Sequence, residues 1–568
     1  MNGSRPWLVR LEPWVPLLAV VVCLPALFGG LELDDVLLAA RSTDTSAFIS
    51  SAFTFFGEGQ RTAHVAITDL PWWTDPAMRL DLMRPLAAVS HLIDFRLWPN
   101  QPWLMHLHSL LWYAALVLGV QRLVTEIGGD RRRATLAALV FGFSQAHAMN
   151  VGWLSARNAI IAATLVTLAL WLHHRWRTRR SIVAAVAAPC VFGLALLANE
   201  GAVAAFGYLV AYAWIMDEGR RPFASLLPIA AVIVIWRVAY GELGYGAVHS
   251  GIYLDPSADP LGYGLRTVVN ASSMFAARFG IAVLDGLGAV PGATLAAAAV
   301  SIPFLLGLAW LAREPLRSDR STRMWALGML ACGITAGTSV PTDRGLVLIG
   351  LGGSALIAEL IVRWRVDASR LRRALAWSLI GLHLILAPLL MLVRVQSSAW
   401  VHGFAERITQ SLPHEAAIED ATVVLLQAPS DLALFYSRAI AEAKGQPFPR
   451  HFRWLYAGPA AVELRRIDEH AVELRPERPW LESPLDRMFR RDVDFEVGQR
   501  VDLPCMSAEV LEVASGSAEK LPTALRFDFH DERPDCRVVV LRWDAGEYRP
   551  FELPPVGGKV VLAPATLP

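Results

Sequence analysis

Charge is scarce in this chain. Only 18% of its 568 residues are Asp, Glu, Lys or Arg, while 54% are hydrophobic, a balance that excludes an ordinary soluble domain and implies a polytopic membrane protein. The formal net charge of +1 provides no basic footprint for nucleic acid. Soluble-enzyme signatures are also missing: there is no Walker A loop, no dinucleotide fingerprint after a strand, no Cys-x-x-Cys and no His-Glu-x-x-His, so nucleotide and common metal chemistries lose their usual carriers. Cysteine is limited to five residues. Cys23, Cys190 and Cys332 lie in apolar runs, leaving Cys505 and Cys536 in the polar C-terminal part.

What is abundant is apolar sequence in lengths of about 20 residues, enough to cross a hydrocarbon core of about 30 Å. About eleven helical spans are expected, near 14–31, 103–124, 134–150, 158–173, 181–198, 201–216, 223–240, 293–312, 323–340, 345–362 and 374–393. The first lacks a small-residue cleavage site before Glu32 and reads as a retained span. Basic runs at Arg131–Arg133, His173–Arg180, Arg220-Arg221, Arg313–Arg323 and Arg363–Arg373 fall at every second connection, as the positive-inside rule requires. The expected topology is therefore a mainly α helical bundle in the cytoplasmic (inner) membrane, with its N-terminus in the cytosol. Residues 32–102 and 241–292 become outer loops, and a small β-rich extracytoplasmic domain spans 396–568. Its strand-like runs are Ala421–Leu426, Ala471–Leu474, Val538–Trp543 and Lys559–Leu562. An oxidising compartment permits a Cys505–Cys536 bridge there, against two reduced core thiols.

The polar residues left at the outer ends of spans form the candidate site. Asp34, Asp35, Arg84, His91, His106, His108, His147, Arg157, Glu200, Asp343 and Arg344 collect on that edge. Ionisable groups at membrane depth line cavities or pair with one another, and any single Arg or His there can equally be a snorkelling interface residue. Carboxylates can take a proton or hold a divalent cation, and guanidinium groups match phosphate oxygens. Other features have plainer readings. Gly350–Gly353 suits close helix packing. His173-His174, flanked by arginines, suit a cytosolic rim. Phe55-Phe56, Trp72-Trp73 and Trp98 suit interfacial anchoring, with sugar stacking as the alternative. The second loop, with Tyr240, Tyr245, Tyr253 and Tyr263, could cover an acceptor.

The order of these residues resembles a known family. An acidic pair after the first span is followed by Arg84-Pro85-Leu86, then by Pro102-Trp103-Leu104-Met105-His106-Leu107-His108. Next come Gln145-Ala146-His147, the stretch Val151 to Arg157, and Leu197-Ala198-Asn199-Glu200-Gly201. This set resembles the GT-C superfamily of integral-membrane glycosyltransferases, in its protein O-mannosyltransferase-like branch, over residues 14–220 and more loosely to 395. The chain departs from that pattern at Asn199, where relatives carry a lysine.

The resemblance implies a sugar donor linked to a polyprenyl phosphate and a protein, lipid or polysaccharide acceptor on the outer face, with membrane lipids as the other partners. It implies that Asp34 or Asp35 deprotonates the acceptor and that Arg84, Arg157 and Arg344 neutralise the donor phosphate. It also implies that His106 orients donor or acceptor and that Glu200 holds an arginine. No cofactor is certain; the acidic pair admits a divalent cation but supplies too few ligands to define a site. Two other classes fit the composition: a lipid-linked saccharide transporter or flippase, and a noncatalytic envelope assembly protein.

Overall fold

The computed structural model describes residues 7–56, 70–251, 260–280, 283–287, 290, 292–483, 486–515 and 519–566; Tyr253 lies outside them. Among these residues, seven helices are long and apolar enough to cross a membrane: Leu8–Phe28, Pro102–Gly128, Leu154–Arg179, Phe223–Glu242, Ala293–Leu311, Asp343–Trp364 and Arg370–Gln410. Ile182–Ala198 and Glu200–Ile215 are apolar but shorter. Seven is fewer than the about eleven expected, and the difference has local causes. The run expected as a span over 134–150 is helical only to Gly142, then breaks at Ser144 into the short turns Gln145–His147 and Ala148–Gly152.

The stretch 241–292 differs more. It was expected as a loop, but Pro260–Arg278 is a helix whose half from Ala271 to Arg278 is buried in the bundle. Close approach of helices depends on small residues. A Cβ added to Gly352 would lie 2.5 Å from the Trp325 carbonyl oxygen, and one on Gly353 would lie 2.6 Å from Arg278 Cγ. At one end of the bundle the basic connections meet, with Arg133 bonding to Asp130, Asp319 and Glu359 and Arg363 to Glu314.

At the other end sits the C-terminal β region. The helices Ala387–Arg394 and Ser397–Gln410, separated by a turn at Val395-Gln396, lead into it. A four-stranded sheet has the order Glu547–Pro550, Arg537–Asp544, Ala421–Leu425, His451–Trp454. Ala421–Leu425 pairs in parallel with both of its neighbours, and the short helices Asp431–Phe435 and Ser437–Ala443 make the crossover from it to His451–Trp454 that parallel strands need. The second sheet is six-stranded and antiparallel, in the order Lys559–Leu562, Val462–Arg466, Ala471–Pro476, Pro522–Phe529, Met506–Val513, Arg500–Leu503. Leu525 stands opposite both Leu474 and Val510, all buried, so these three strands turn one apolar face to the core. A Cys505–Cys536 disulfide, Cα–Cα 5.3 Å, joins the turn before Met506 to the start of Arg537–Asp544 and so ties the two sheets together.

The segment between the helices Leu8–Phe28 and Pro102–Gly128 shares the core of this region. Trp72 and Trp73 are buried beneath it rather than lying at a membrane interface or stacking on a sugar. Trp72 packs edge-on to Trp480, Phe495 and Phe527, and its indole N–H donates to the Leu455 carbonyl at 3.1 Å. The aromatic run that resembled an anchor is therefore the joint between loop and β region. Tryptophan suits both tasks because it combines a large apolar body with one N–H donor.

Candidate active site

The acidic pair follows a bend that the chain makes under restraint. Leu33 has φ 50°, a left-handed conformation costly for a γ-branched side chain, and the surrounding elements hold it there. Its backbone N–H donates to His402 Nδ1 at 3.1 Å. The Trp153 indole donates to the Glu32 carbonyl, also at 3.1 Å. One turn earlier, the wholly buried His106 places Nε2 3.1 Å from the Gly30 carbonyl oxygen. His106 thus holds the loop at Gly30.

From this bend rises the helix Asp34–Arg41, with both carboxylates in its first turn, where the helix dipole favours negative charge. Successive residues of a helix point in different directions, and the two aspartates separate accordingly. Asp35 turns inward and is 1% exposed. It accepts the Ser155 backbone N–H at 2.7 Å and the Ser155 hydroxyl on one oxygen, and the Glu32 N–H at 3.1 Å on the other. Burial raises its carboxyl to about 8 against these hydrogen bonds, and raises neighbouring Glu32 to about 7. Asp35 therefore acts as a buried acceptor that fastens the loop to the Leu154–Ala156 turn.

Asp34 faces the other way and is half-buried. It accepts a 2.8 Å hydrogen bond from the Tyr436 hydroxyl of the β region. Burial raises its carboxyl above the ordinary range, opposed by that hydrogen bond and by the charges of Arg344, Arg41 and Arg84. Arg84 is gripped by Glu200, Nε to Oε2 at 2.8 Å with a second contact from Nη2, and lies 5.4 Å from the Phe53 ring centroid. Arg344 is exposed and sits 5.4 Å from the Trp153 ring centroid, with no ion pair among the described residues. Its neighbour Asp343 is engaged by Arg394 at 2.7 Å. Arg41 lies two helical turns from Asp34, on the same face, and donates to the Thr54 carbonyl at 2.8 Å. One carboxylate acted on by the charges of three guanidinium groups can take a proton beside a bound anion.

Arg157 does not join this cluster. It is 0% exposed. Its Nη1 pairs with Asp94 at 2.5 Å, its Nε bonds to Ser109 at 2.8 Å and its Nη2 to the Met105 carbonyl at 2.9 Å. His108 completes the group, 2.7 Å from the other Asp94 oxygen. Arg157 was expected to bind phosphate. Its guanidinium is committed to this buried pair instead, because an unpaired charge so deep would be far more costly.

No family model matches the chain, and no curated protein matches it. One solved structure similar to it is that of the Archaeoglobus fulgidus oligosaccharyltransferase, tethered through a disulfide bond to an acceptor peptide containing the NVT sequon. That protein is 13% identical, with a TM-score of 0.41, and the match covers 80% of this chain and 64% of the other. The chain thus spans less than two thirds of its length.

Several of those residues were not singled out in the sequence. Tyr436 is 402 positions from Asp34, a separation no local pattern bridges. Asp94 was detectable in principle, as the lone carboxylate on the helix Pro85–Leu97. Arg41 follows Asp34 by seven residues, a spacing that places both on one helical face.

Proposed function

We propose that this chain is an integral-membrane glycosyltransferase that moves a sugar from a polyprenyl-phosphate donor to an acceptor hydroxyl at the outer face of the cytoplasmic membrane. In this reading the end of the bundle bearing the β region is the outer face, and the basic connections stay in the cytosol. The observation that carries the proposal is Asp34 itself, bonded by the Tyr436 hydroxyl at 2.8 Å and within the field of the Arg41, Arg84 and Arg344 charges. The ordered motifs described above support it.

Asp34 acts as the general base. The acceptor hydroxyl passes its proton to the Asp34 carboxylate as its oxygen bonds to the anomeric carbon. The bond from that carbon to the phosphate oxygen breaks at the same time, and the electron pair leaves with the polyprenyl phosphate. Arg344, exposed and without an ion pair among the described residues, neutralises the departing phosphate, assisted by Arg84. Such charge-assisted contacts contribute about 1.5–3 kcal/mol each. Glu200 fixes the Arg84 guanidinium, while Asp35, His106 and Arg157 hold the loop and helices that carry the site. Tyr436 makes the β region part of the site rather than an appendage.

Purified protein in proteoliposomes, supplied with a panel of synthetic polyprenyl-phosphate sugars and hydroxyl acceptors, tests this reading. Acceptor-dependent release of polyprenyl phosphate is the expected outcome. Movement of the lipid-linked saccharide across the bilayer without transfer would replace the proposal with a flippase.

A further inference from the structure

Away from the acidic pair, three segments distant in sequence bring a His and two Asp side chains to one point. The strand Arg79–Asp81 pairs with Gly246–Val248, Arg79 opposite Val248, so Asp75 and His249, just outside the paired residues, become neighbours. The segment from Arg487 to Asp492 of the β region is pressed between them. Asp75 N–H donates to the Phe489 carbonyl at 2.9 Å, Arg491 N–H to the His249 carbonyl at 3.0 Å and Gly251 N–H to the Arg487 carbonyl at 3.0 Å. Gly251 is required at this contact: an added Cβ would lie 2.5 Å from the Arg487 carbonyl oxygen. His249 itself takes φ 55°.

The donor atoms face one another. His249 Nδ1 is 3.6 Å from Asp75 Oδ2 and 3.9 Å from Asp492 Oδ2, and all three ligand atoms lie within 4.8 Å of one another. These separations are too long for hydrogen bonds. They also bring two carboxylate oxygens to the same imidazole nitrogen. Asp75 uses its other oxygen for the Ala77 N–H at 2.7 Å. The charge of Arg490 acts on both Asp75 and Asp492, but its Nε donates to the Asp492 backbone carbonyl at 2.7 Å and its guanidinium lies over the Phe495 ring, 4.4 Å from the centroid. Ligands at about 2.0–2.2 Å around a tetrahedral zinc ion stand roughly 3.4 Å apart, against 3.6 and 3.9 Å for the two separations from His249 Nδ1.

We propose that Asp75, His249 and Asp492 bind a divalent zinc ion that clamps the first outer loop and the stretch after Phe223–Glu242 to the β region. One imidazole nitrogen and two carboxylate oxygens suit zinc among the divalent cations, with a fourth position left for water. The ion removes the repulsion between the two carboxylates and fixes the loop that carries the buried Trp72-Trp73 joint. Its role is structural, and it stands independently of the sugar-transfer reading.

The test is zinc binding by the full-length protein in detergent, stripped with a chelator and titrated with zinc chloride. A second group on the β region, His470, Asp531 and Glu532, is exposed, so all measurements are made in a His470→Ala background. One equivalent of zinc is expected, raising the melting temperature. His249→Ala and Asp492→Asn should each weaken uptake at least tenfold and abolish that rise. The Asp492 side chain is 69% exposed, so Asp492→Asn keeps the test open if His249→Ala fails to fold. Failure of the His470→Ala protein to bind zinc, or equal binding by the Asp492→Asn protein, overturns the proposal.

Discussion

Replacing Asp34 by Asn separates chemistry from folding more cleanly than any other single change at this site. The amide keeps an oxygen for the Tyr436 hydroxyl, 2.8 Å away, and nearly the same volume, but it cannot accept a proton. Loss of a positioned general base costs about 10²- to 10⁴-fold in rate, equivalent to about 3–5 kcal/mol of transition-state stabilisation. Folding should change little, because removing a half-buried charge relieves desolvation while forgoing its attraction to Arg344, Arg41 and Arg84. The matched Asp35→Asn variant should behave in the opposite way. Asp35 accepts bonds from Ser155 and from Glu32 on its two oxygens, and an amide offers only one oxygen. A buried N–H then loses its acceptor, at about 1–3 kcal/mol. The assay pairs sugar transfer from the polyprenyl-phosphate donor with thermal melting of both variants in detergent. Asp34→Asn retaining transfer within tenfold of wild type, at unchanged melting temperature, would refute Asp34 as the base.

Three further outcomes are expected. Arg344→Gln removes a cation that lowers the Asp34 carboxyl; since the base works ionised, the acid limb of the kcat profile should move to higher pH, and an unmoved limb would separate Arg344 from Asp34. In the β region, burial raises the Asp486 carboxyl to about 7, opposed by Arg487, and holds neighbouring Asp431 well above the ordinary range. Unfolded aspartates titrate near pH 4, so the folded state binds extra protons between about pH 4 and 7 and melting temperature should fall as pH rises through that window. Asp486→Asn should flatten this slope, and a slope unchanged in the variant would place the protons elsewhere. Reduction of the Cys505–Cys536 disulfide, which closes a loop with a sequence separation of 31, should lower the stability of the β region by about 3–4 kcal/mol on loop-entropy grounds; denaturant melts with and without reductant measure this.

Much of the architecture is carried by local composition. Apolar length identified most of the helices because burying a span in lipid depends on residue type over about 20 positions and not on what the span packs against. Breaks were harder to read. Ser144, Gln145 and His147 turn the chain within a run whose mean hydropathy still suits a span, and Pro260–Arg278 forms a helix inside what was expected to be a loop. Within the β region, the strands Ala421–Leu425 and Arg537–Asp544 were expected from their runs of β-branched residues. Their parallel pairing was not, since it is set by residues more than a hundred positions apart.

By itself, the sequence determined that this is a polytopic, mainly helical membrane protein with a polar C-terminal region, and that acidic, basic and imidazole side chains gather at span ends. Those conclusions follow from hydropathy and charge, which are summed locally along the chain. Only the tertiary structure decided which of those groups meet. It turned Asp34 toward Tyr436 and buried Asp35 against Ser155. It committed Arg157 to Asp94 and drew Trp72-Trp73 beneath the β region. The physical reason is the same in each case. A charged or aromatic side chain gains most where its desolvation is repaid by a partner, and in this protein the partners arrive from other parts of the chain.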